Sequence, residues 1–505
     1  MASIEPLISG LPFEDVLRRI GRIADERGIE AYAVGGVVRD AILGRPTTDI
    51  DFVTVGDGSG IQLAEAVAEA LGGLTAHVYR NFGTAAVRVP HGPVRTSSTS
   101  EAQAEVAEAA RGKALVLEFV MARKESYSRN SRKPDVEAGS LEDDQNRRDF
   151  TVNALAIRIA PDDFGELIDP FGGLADLDAG VLRTPLDPID TFDDDPLRIV
   201  RAARFAAQLG FEIDAATFAG MKERAPRVDI LSMERISDEL QKIMLCDRPS
   251  VGFKILYECG ALVRFFPELV ELQGVEAVDG VRHKDNFFHT LQVVDNLVES
   301  VSDRPAEETL WLRWAALLHD IGKPSTKRFT ESGGWTFHGH EHRGERMVPK
   351  IFRRLRLPTD DRMRYVRKLI GLHHRPVALV DESVTDSAVR RLLFDAGEDI
   401  DDLMTLVRAD ITSKNPRRVR KYLRAFDSVE QKFREVEEKD HLRTFQPPVD
   451  GAEIMETLGL EPSRAVGDIK EAIKEAILEG EIPNEHDAAF AYMMEIKDGI
   501  LDKYE

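Results

Sequence analysis

The spacing of apolar and polar positions predicts an α/β opening to the chain. Helical spacing over residues 13–27 predicts a first helix, and the apolar run Ala31–Val34 predicts a short strand. Gly35 and Gly36 interrupt that run, a helical segment follows, and Asp49–Val55 predicts the next strand. The order strand, glycine turn, helix, strand is typical of a small α/β sheet.

Later segments extend this sheet and then give way to helices. Strands are predicted at Ala85–Val89 and Leu115–Met121, whereas Thr96–Gly112 is rich in Ser and Ala and predicts an excursion from the sheet. From about Phe192 onward strands are expected to vanish, and residues 451–480 predict two amphipathic helices around a Pro-Ser turn. The predicted fold class is therefore α/β first and all-α afterwards.

Length and charge limit the classes of protein that fit. The chain of 505 residues is too long for one hydrophobic core, so several domains are expected. The net charge of -22 excludes non-specific coating of nucleic acid, because affinity for phosphate depends on clustered Lys and Arg. RNA contacts are expected to be local, at the basic stretches Lys350–Lys368 and Lys414–Arg424, although solvated helix faces explain each stretch equally well.

Cysteine usage and hydropathy favour a cytoplasmic location. Cys246 and Cys259 are the two cysteines, too few for a disulfide framework and consistent with a reducing compartment. No apolar run reaches the roughly 18 residues of a membrane span, and the first residues lack the pattern of a secretion signal. We therefore expect a cytoplasmic protein with no membrane contact.

An acidic pair in the predicted strand Asp49–Val55 points to metal chemistry. Because side chains alternate along a strand, Asp49 and Asp51 share one face while Ile50 lies on the other. Two neighbouring carboxylates suit Mg²⁺, and a paired-metal site can activate a hydroxyl and stabilise a pyrophosphate leaving group. Taken alone, such a pair is also common on a solvated strand edge.

The glycine turn in front of this strand adds a second piece. Gly35 and Gly36 stand where a strand meets a helix, and bare backbone amides at such a turn can hold a triphosphate. Arg39, one turn into the helix, is a further candidate nucleotide-binding residue. A glycine pair alone is usually only a turn, but the segment GGVVRDAILGRPTTDIDFV brings both pieces to one end of a small sheet.

This segment resembles the signature of the polymerase-beta-type nucleotidyltransferases, in particular the bacterial-type (class II) family of CCA-adding enzymes and poly(A) polymerases. Residues 147–154, RRDFTVNA, are similar to a second block of that family, which binds the ribose and phosphates of the nucleotide. The resemblance implies a polymerase-beta-like head and places these contacts on Arg148, Asp149 and Asn153. A guanidinium can bind phosphate oxygens, and carboxylate and amide groups can bond ribose hydroxyls.

A third carboxylate usually completes such a metal site from a neighbouring strand. Glu118, with apolar residues on both sides, is the candidate. We expect it to act as a catalytic residue together with Asp49 and Asp51. The resemblance also implies that Ser128–Ser140 forms the mobile loop between the first two motifs of the family.

A third motif concerns the choice of nucleotide. Residues 194–198, DDPLR, are similar to the family's EDxxR motif, whose second acid and arginine read the incoming base. These roles fall on Asp195 and Arg198, since an acceptor and a five-donor guanidinium can pair with the edge of cytosine or adenine. Arg201 and Arg204 continue a basic stripe along the same helix. The alternative role of Asp195 is to cap the helix that Pro196 opens.

Histidines concentrate in one part of the helical region, where eight of the twelve lie between His283 and His374. Their order resembles the HD phosphohydrolase pattern. The resemblance implies a metal site on four first-choice ligands: His289, His319, Asp320 and Asp410. His340 and His373 are candidates for a second metal or for phosphate binding. Mixed nitrogen and oxygen donors suit Mn²⁺, iron, Ni²⁺ or Mg²⁺, and whether the domain is hydrolytic or a scaffold stays open.

The resemblance covers nearly the whole chain and divides it into four parts. They are a nucleotidyltransferase head at 1–165, a helical neck at 166–250, an HD-type helical body at 251–430 and a helical tail at 431–505. The implied reaction is attack by the 3′-hydroxyl of tRNA on the α-phosphate of CTP or ATP with Mg²⁺, so tRNA, ATP and CTP are the expected partners.

Three alternatives to CCA addition stay open. A poly(A) polymerase would share the catalytic motifs but choose ATP alone, and a related enzyme would add only CC or only A. From another class, a metal-dependent HD phosphohydrolase could carry a vestigial transferase head. The oligomeric state is not predicted.

Overall fold

A computed structural model of the protein describes residues 4, 8–9, 13–47, 49–80, 83–90, 114–126, 135–274, 277–278, 281–282, 285–330, 334–380, 385–413, 415–440 and 448–504. Three sequence predictions fall partly or wholly outside these ranges. They are the excursion at Thr96–Gly112, residues 128–134 of the predicted loop, and the first residue of the basic stretch that begins at Lys414.

Fifteen strands lie in the described ranges: β1 (Glu30–Val34), β2 (Asp49–Val55), β3 (Ala76–Tyr79), β4 (Thr84–Val89), β5 (Leu115–Met121), β6 (Arg123–Ser126), β7 (Asp135–Ala138), β8 (Ala156–Arg158), β9 (Leu167–Ile168), β10 (Val181–Leu182), β11 (Glu212–Ile213), β12 (Ala277–Val278), β13 (Val281–Arg282), β14 (Arg328–Thr330) and β15 (Gly334–Thr336). The four strands predicted from the sequence correspond to β1, β2, β4 and β5.

Seven of these strands form one mixed sheet, in the order β3-β4-β5-β2-β1-β8-β9. Strands β2 and β5 run parallel, and the other neighbouring pairs are antiparallel. On β2 the side chains of Ile50 and Phe52 are fully buried, and the ring of Phe52 stacks on that of Phe119 at 4.9 Å. The acidic side chains Asp49 and Asp51 occupy the alternate positions, as the strand period predicts.

The first eight helices surround this sheet or follow it: α1 (Glu14–Glu26), α2 (Gly36–Ile42), α3 (Ser59–Ala70), α4 (Leu141–Asn146), α5 (Gly173–Ala179), α6 (Pro188–Asp194), α7 (Leu197–Leu209) and α8 (Ala215–Arg224). Short 3-10 helices occur at Thr151–Asn153, Pro161–Asp163 and Ala225–Ile230.

Sixteen further helices make up most of the remaining chain: α9 (Met233–Met244), α10 (Pro249–Glu258), α11 (Leu262–Phe265), α12 (Pro267–Val270), α13 (Asn286–Ser300), α14 (Ala306–Leu318), α15 (Lys323–Thr326), α16 (His340–Arg354), α17 (Asp361–Leu372), α18 (Arg375–Ala378), α19 (Asp386–Ala396), α20 (Ile400–Ala409), α21 (Pro416–Asp440), α22 (Gly451–Leu458), α23 (Arg464–Glu479) and α24 (His486–Leu501). A 3-10 turn at Gly397–Asp399 precedes α20. Among the described residues, none of the helices has the length and apolar character needed to cross a bilayer.

The chain divides into two compact units. The first contains residues 1–231 and 258–261, and the second contains residues 232–257 and 262–505. The division falls inside the predicted neck, so α7, which carries the candidate base-reading residues, belongs to the same unit as the sheet. The domain boundaries at 165, 250 and 430 stay predictions.

The predicted order of α/β structure followed by helices is confirmed, with one correction. The expectation that strands vanish after Phe192 is wrong in detail, because five strands of two or three residues follow: β11, β12, β13, β14 and β15. Such short strands give no alternating pattern long enough to separate from a loop. The two helices predicted at residues 451–480 are present as α22 and α23.

Candidate active sites

The acidic pair of the head faces a third carboxylate on the neighbouring strand. Because β2 and β5 run parallel, Asp51 lies directly opposite Glu118 in the sheet register. Asp49 is on the same face, two residues before Asp51. The structure thus brings together the three acidic residues that the sequence analysis assigned to the metal site.

The electrostatics of this group fit a bound cation. Burial raises the pKa of Glu118, and the charges of Asp51 and Asp49 raise it further. Burial also raises the pKa of Asp51, although Arg148 opposes that shift. Mutual repulsion of three carboxylates on one face is what a divalent cation relieves, and oxygen donors are the ligands Mg²⁺ prefers.

Two features require a glycine at position 35: the backbone conformation and the close approach of Arg148. Its φ is 73° and its ψ is -122°, a conformation that side-chain-bearing residues rarely adopt. A Cβ atom at this position would lie 2.6 Å from Nη1 of Arg148. Gly36 opens α2 and has more room, since a Cβ there would meet its nearest atom at 3.7 Å. The glycine turn therefore allows the Arg148 guanidinium to approach the backbone at the end of β1.

Two of the predicted nucleotide-binding residues bond each other inside the head. The guanidinium of Arg39 is buried, and its Nη1 donates to Oδ1 of Asn153 at 2.6 Å. Its Nε donates to Asp40 at 2.8 Å. The Asn153 amide in turn donates to Oδ1 of Asp149 at 2.9 Å. In this structure these groups hold the Arg148–Asn153 block against α2.

Asp149 also contacts α7, the helix that contains the candidate base-reading residues. Nε and Nη2 of Arg201 on α7 lie 2.8 Å and 2.7 Å from Oδ2 of Asp149. Burial alone would raise the pKa of Asp149, but Arg201 and the Asn153 amide lower it to about 2. The carboxylate is therefore ionised at neutral pH and couples the block at 147–154 to α7.

Arg148 depends on an acid that the sequence analysis missed. Asp144 is fully buried, and its Oδ2 accepts from Nε of Arg148 at 2.9 Å. Its Oδ1 accepts from Arg147 at 2.6 Å. The spacing of Asp144 and Arg148 at i and i+4 was a signal for this pair. Asp144 sets the direction of the Arg148 side chain.

The base-reading candidates occupy the start of α7. Oδ1 of Asp195 accepts from the backbone amide of Leu197 at 3.1 Å, which is the capping geometry considered from the sequence. Arg198 is half-buried and donates to the carbonyl groups of Thr191 and Arg147. Capping uses one oxygen of the Asp195 carboxylate, so it does not exclude base reading.

Arg204 has a different setting from Arg198. Its guanidinium lies over the ring of Phe205 at 4.0 Å, and those of Arg39 and Arg201 lie at 5.2 Å and 5.3 Å from the same ring. Phe205 is buried and meets Phe150 edge to face at 5.9 Å. The basic stripe of α7 is therefore built around an aromatic core residue.

A second group of polar side chains meets in the helical unit. Nε2 of His289 lies 2.9 Å from Oδ1 of Asp410 and 3.7 Å from Oδ2 of Asp320. Nε2 of His319 lies 3.3 Å from Oδ2 of Asp320 and 3.6 Å from Oδ1 of Asp410. The four first-choice ligands thus converge from α13, the end of α14 and the end of α20.

His340 and His373 join the same centre. Nε2 of His340 lies 3.4 Å from Oδ1 of Asp320 and 3.2 Å from Nε2 of His373. Two groups of candidate ligands, each with donor atoms within 4.8 Å of one another, share Asp320: His289, His319 and Asp320, and Asp320, His340 and His373. Both groups lie in the helical unit, so in the part of the chain that the structure describes no such group contains the head carboxylates.

Each histidine of this centre is oriented by a contact of its Nδ1 atom, which leaves Nε2 to face the centre. Nδ1 atoms lie 2.7 to 2.9 Å from an oxygen that fixes the ring: Thr412 Oγ1 for His289, and the carbonyls of Ala316, Phe337 and Ile370 for His319, His340 and His373. This arrangement aims every Nε2 at the common centre and is the usual support of a metal-bound imidazole.

The charges of the centre also fit a cation. Burial lowers the pKa of His319, but Asp320 and Asp410 outweigh it and raise the pKa to about 10. Nε2 of His319 is nevertheless buried without a hydrogen bond. Burial, reinforced by His319, lowers the pKa of His373 to about 3, which keeps that ring in the neutral form that binds metals.

Comparison with known proteins gives matches along most of the chain. Three family models match in order: a poly A polymerase head domain at residues 31–183, a probable RNA- and SrmB-binding site of polymerase A at 210–272, and an HD domain at 286–415. A multifunctional CCA protein of Ralstonia nicotianae is 39% identical over 341 residues, which cover 66% of this chain and 70% of the relative. The chain belongs to the tRNA nucleotidyltransferase family of CCA-adding enzymes.

Two further members of this tRNA nucleotidyltransferase family are similar to the chain. An A-adding tRNA nucleotidyltransferase of Deinococcus radiodurans is 34% identical over 69% of this chain and 78% of the relative. The structure of a Thermotoga maritima CCA-adding enzyme with tRNA is 20% identical, with a TM-score of 0.58 and coverage of 100% of this chain and 99% of that chain. At that identity the likeness shows the fold alone, and it confirms the α/β head followed by helical domains.

The two basic stretches differ in how much of their charge is paired. In Lys350–Lys368, ion pairs join Arg354 to Glu268 and Arg367 to Glu345. The second stretch begins α21, where five cationic side chains are exposed: Arg417, Arg418, Arg420, Lys421 and Arg424. Of the two, the start of α21 offers more charge to a polyanion.

A cleft beside the histidine centre was not foreseen from the sequence. It has a volume of about 990 Å³, and His289 and Asp410 line it together with Phe288 and Tyr422. An aromatic residue next to a metal-ligating histidine gives no sequence signal of its own, because apolar residues at helical spacing usually belong to the core. The cleft makes the histidine centre accessible to a substrate.

Proposed function

We propose that the protein is a CCA-adding tRNA nucleotidyltransferase, which adds C, C and A to the tRNA 3′ end from CTP and ATP without a nucleic-acid template. The observation that carries the proposal is the register of β2 and β5, which sets Asp51 opposite Glu118 with Asp49 on the same face. The name of the 39% identical relative supports the same activity.

In the proposed site, Asp49, Asp51 and Glu118 would hold Mg²⁺, which when bound activates a hydroxyl and stabilises the pyrophosphate leaving group. The 3′-oxygen of tRNA forms a bond to the α-phosphorus of the nucleotide, and the bond to the pyrophosphate breaks. The proton of the hydroxyl leaves to solvent. Gly35 leaves room for the guanidinium of Arg148, which is oriented by Asp144 and would bind a phosphate of the nucleotide.

Selection of the nucleotide is assigned to α7. Asp195 and Arg198 would pair with the edge of the incoming base, with Arg198 giving up its bonds to the Thr191 and Arg147 carbonyls. Asp149 would keep α7 in place through Arg201. Arg39, Asn153 and Arg204 would contribute further contacts to the nucleotide, and the bond between Arg39 and Asn153 would orient both groups.

The test uses tRNA that ends before the CCA sequence. With CTP alone the protein should add two nucleotides, with ATP alone none, and with both it should add three and stop. Long A-tails on this tRNA would instead indicate a poly(A) polymerase, and a halt after two additions with both nucleotides would indicate a CC-adding enzyme.

One relative favours a second candidate function, the addition of A alone. The Deinococcus radiodurans protein that is 34% identical is named as an A-adding enzyme. Transcripts ending in CC and transcripts ending before CC separate the two proposals. An A-adding enzyme would extend only the former, and would not incorporate CTP.

For the histidine centre we propose a second activity, metal-dependent phosphohydrolysis. The six residues of the centre would hold one or two of Mn²⁺, Ni²⁺ or Mg²⁺, which when bound supplies hydroxide at neutral pH. The carrying observation is the cleft that opens on His289 and Asp410. Phosphate release from phosphomonoesters that EDTA stops and His319→Ala abolishes would support it. Retention of nucleotide transfer in the His319→Ala protein would exclude a vestigial head.

A further inference from the structure

One wall of the cleft beside the histidine centre is an aromatic ring. Phe288 is 42% exposed although it follows Asn286 and Phe287, which are buried at the start of α13. Its ring meets those of Phe287 and Tyr257 edge to face at 5.2 Å and 6.1 Å, and Phe288 also lines the cleft. His289, the next residue, directs its Nε2 to Asp410. A large ring is therefore exposed within one residue of the metal centre.

A second part of the cleft lining comes from α21. Tyr422 lines the cleft, and the guanidinium of Arg418 lies 5.7 Å from its ring centre, one helical turn earlier. Within the described part of the chain, the Arg418 guanidinium forms no hydrogen bond or ion pair, in contrast with Arg408, which pairs with Asp427 and Glu430. The cleft thus contains an exposed cation available to an anionic ligand.

The charge around this wall favours the same kind of ligand. Arg417, Arg420, Lys421 and Arg424 are exposed near Arg418 on α21, in a chain whose net charge is -22. A local group of cations on an acidic protein concentrates polyanions at that place. A cavity of about 990 Å³ also has the size of sites that enclose small ligands.

We propose that Phe288, Tyr422 and Arg418 form the nucleoside-binding wall of the histidine-centre cleft. The two rings hold the base by stacking, and Arg418 binds a phosphate oxygen. This inference rests on the phosphohydrolase activity proposed above, and it names the residues that select nucleoside phosphates over other phosphate esters. In the hydrolysis, a water oxygen bonds to phosphorus, the bond from phosphorus to the ribose oxygen breaks, and that oxygen takes up a proton.

Stacking and charge explain why these three residues suffice for selectivity. Every base offers a flat face to an aromatic ring, and loss of one such contact weakens binding by about tenfold. The guanidinium adds a charge-assisted bond to phosphate that a neutral side chain cannot replace. A phosphate ester without a base would gain only the second of these contacts.

The test compares two ligands on the full-length protein with Mn²⁺ added. Equilibrium binding and hydrolysis are measured for adenosine 2′(3′)-monophosphate, with 2-glycerophosphate as the ligand without a base. Phe288→Ala and Tyr422→Ala should each weaken binding and raise KM for the nucleotide by about tenfold, with a smaller change for 2-glycerophosphate. Tyr422→Phe should restore nucleotide binding, because the ring is kept.

Arg418 has a matched control on its own helix. Arg418→Ala should weaken binding of the nucleotide, whereas Arg420→Ala, which removes an exposed arginine outside the cleft, should not. Equal losses for both ligands in Phe288→Ala and Tyr422→Ala, or unchanged nucleotide binding in all three alanine variants, would overturn the inference.

The same experiment shows separately whether the proposed phosphohydrolase activity is absent. If neither ligand is hydrolysed but nucleotide binding falls in the Phe288 and Tyr422 variants, the phosphohydrolase proposal fails while the binding wall stands. Bound manganese, measured by mass spectrometry, shows whether Phe288→Ala disturbs the neighbouring His289.

Discussion

At the scale of single residues, Gly35 shows how one position carries two constraints. Its backbone adopts φ 73°, and the place of a Cβ atom is 2.6 Å from the Arg148 guanidinium. Gly44 shares the first constraint, with φ 63°, but has no atom within 4 Å of a Cβ position. The two glycines therefore separate backbone strain from displacement of Arg148.

We predict that Gly35→Ala reduces nucleotide transfer at least tenfold, mainly through a higher KM for CTP and ATP, because Arg148 must move. Gly44→Ala should lower stability by about 1 kcal/mol, the cost of a side chain in the left-handed region, and keep the same KM. Steady-state kinetics and thermal unfolding of both variants check this. Equal kinetic effects of the two substitutions would contradict the role given to Arg148.

The ionisation of Asp149 makes the stability of the head depend on pH. Its pKa is lowered to about 2 in the folded protein from 3.8. The stabilisation is therefore fully present above about pH 4 and is lost as the pH falls toward 2. Its magnitude, on the order of 2 kcal/mol, follows from a shift of nearly two pKa units.

We predict that Asp149→Asn lowers the free energy of unfolding at pH 7 by on the order of 2 kcal/mol, and that the difference from the wild type shrinks as the pH falls from about 4 toward 2. Asp178, which is exposed and has no such partner in the described structure, provides the control as Asp178→Asn. Unfolding followed by circular dichroism across this range measures both. A deficit for Asp149→Asn that does not change with pH would show that the Arg201 pair is not its cause.

The sequence predicted the residues of the head site better than their partners. Strand period alone put Asp49 and Asp51 on one face, and an acid between apolar neighbours indicated Glu118. The contact of Asp149 with Arg201 spans 52 residues, and no local pattern encodes such a pairing. Arg39 and Asn153 were assigned to the nucleotide because their types suit phosphate and ribose. The bond between their side chains spans 114 residues, and no local pattern predicts it.

At the scale of elements, the histidine centre depends on helices that end at the same point. His319, His373 and Asp410 each directly follow the last residue of a helix, and His340 begins one. The clustering of histidines predicted a metal site, but only the packing of these helices shows that Asp320 is shared between two ligand groups.

We predict that the histidine centre binds two divalent metal ions and that His340→Ala or His373→Ala lowers the number in this centre to one. Each substitution leaves His289, His319 and Asp320 in place, so one ligand group survives. His342→Ala, an exposed histidine on the same helix as His340, is the control and should keep two. The measurement is the loss of one equivalent of Mn²⁺ relative to the wild type after dialysis, and an unchanged metal content in both variants would contradict the shared-carboxylate arrangement.

Element prediction failed where segments were short. The hairpins β12–β13 and β14–β15 have strands of two or three residues, which is below the length at which alternation is visible. The cleft between α13 and α21 was missed for another reason. Phe288 and Tyr422 are 134 residues apart in sequence, and apolar spacing does not tell which rings stay exposed.

At the scale of the whole molecule, the chain has two candidate metal sites, one in each of its two compact units. The first unit contains the sheet, the carboxylates and α7, so it holds every residue assigned to nucleotide transfer. The second contains the histidine centre and its cleft. Because each site is complete within its own unit, loss of one activity should leave the other measurable.

Nucleotide transfer is proposed to take place at the site formed by Asp49, Asp51 and Glu118. The decisive measurement is extension of a tRNA transcript lacking CCA, with radiolabelled CTP and ATP, by the wild type and by Asp51→Asn. We predict addition of C, C and A followed by a stop in the wild type, and at least a hundredfold loss of rate in Asp51→Asn with unchanged stability. Full transfer by Asp51→Asn would contradict the account.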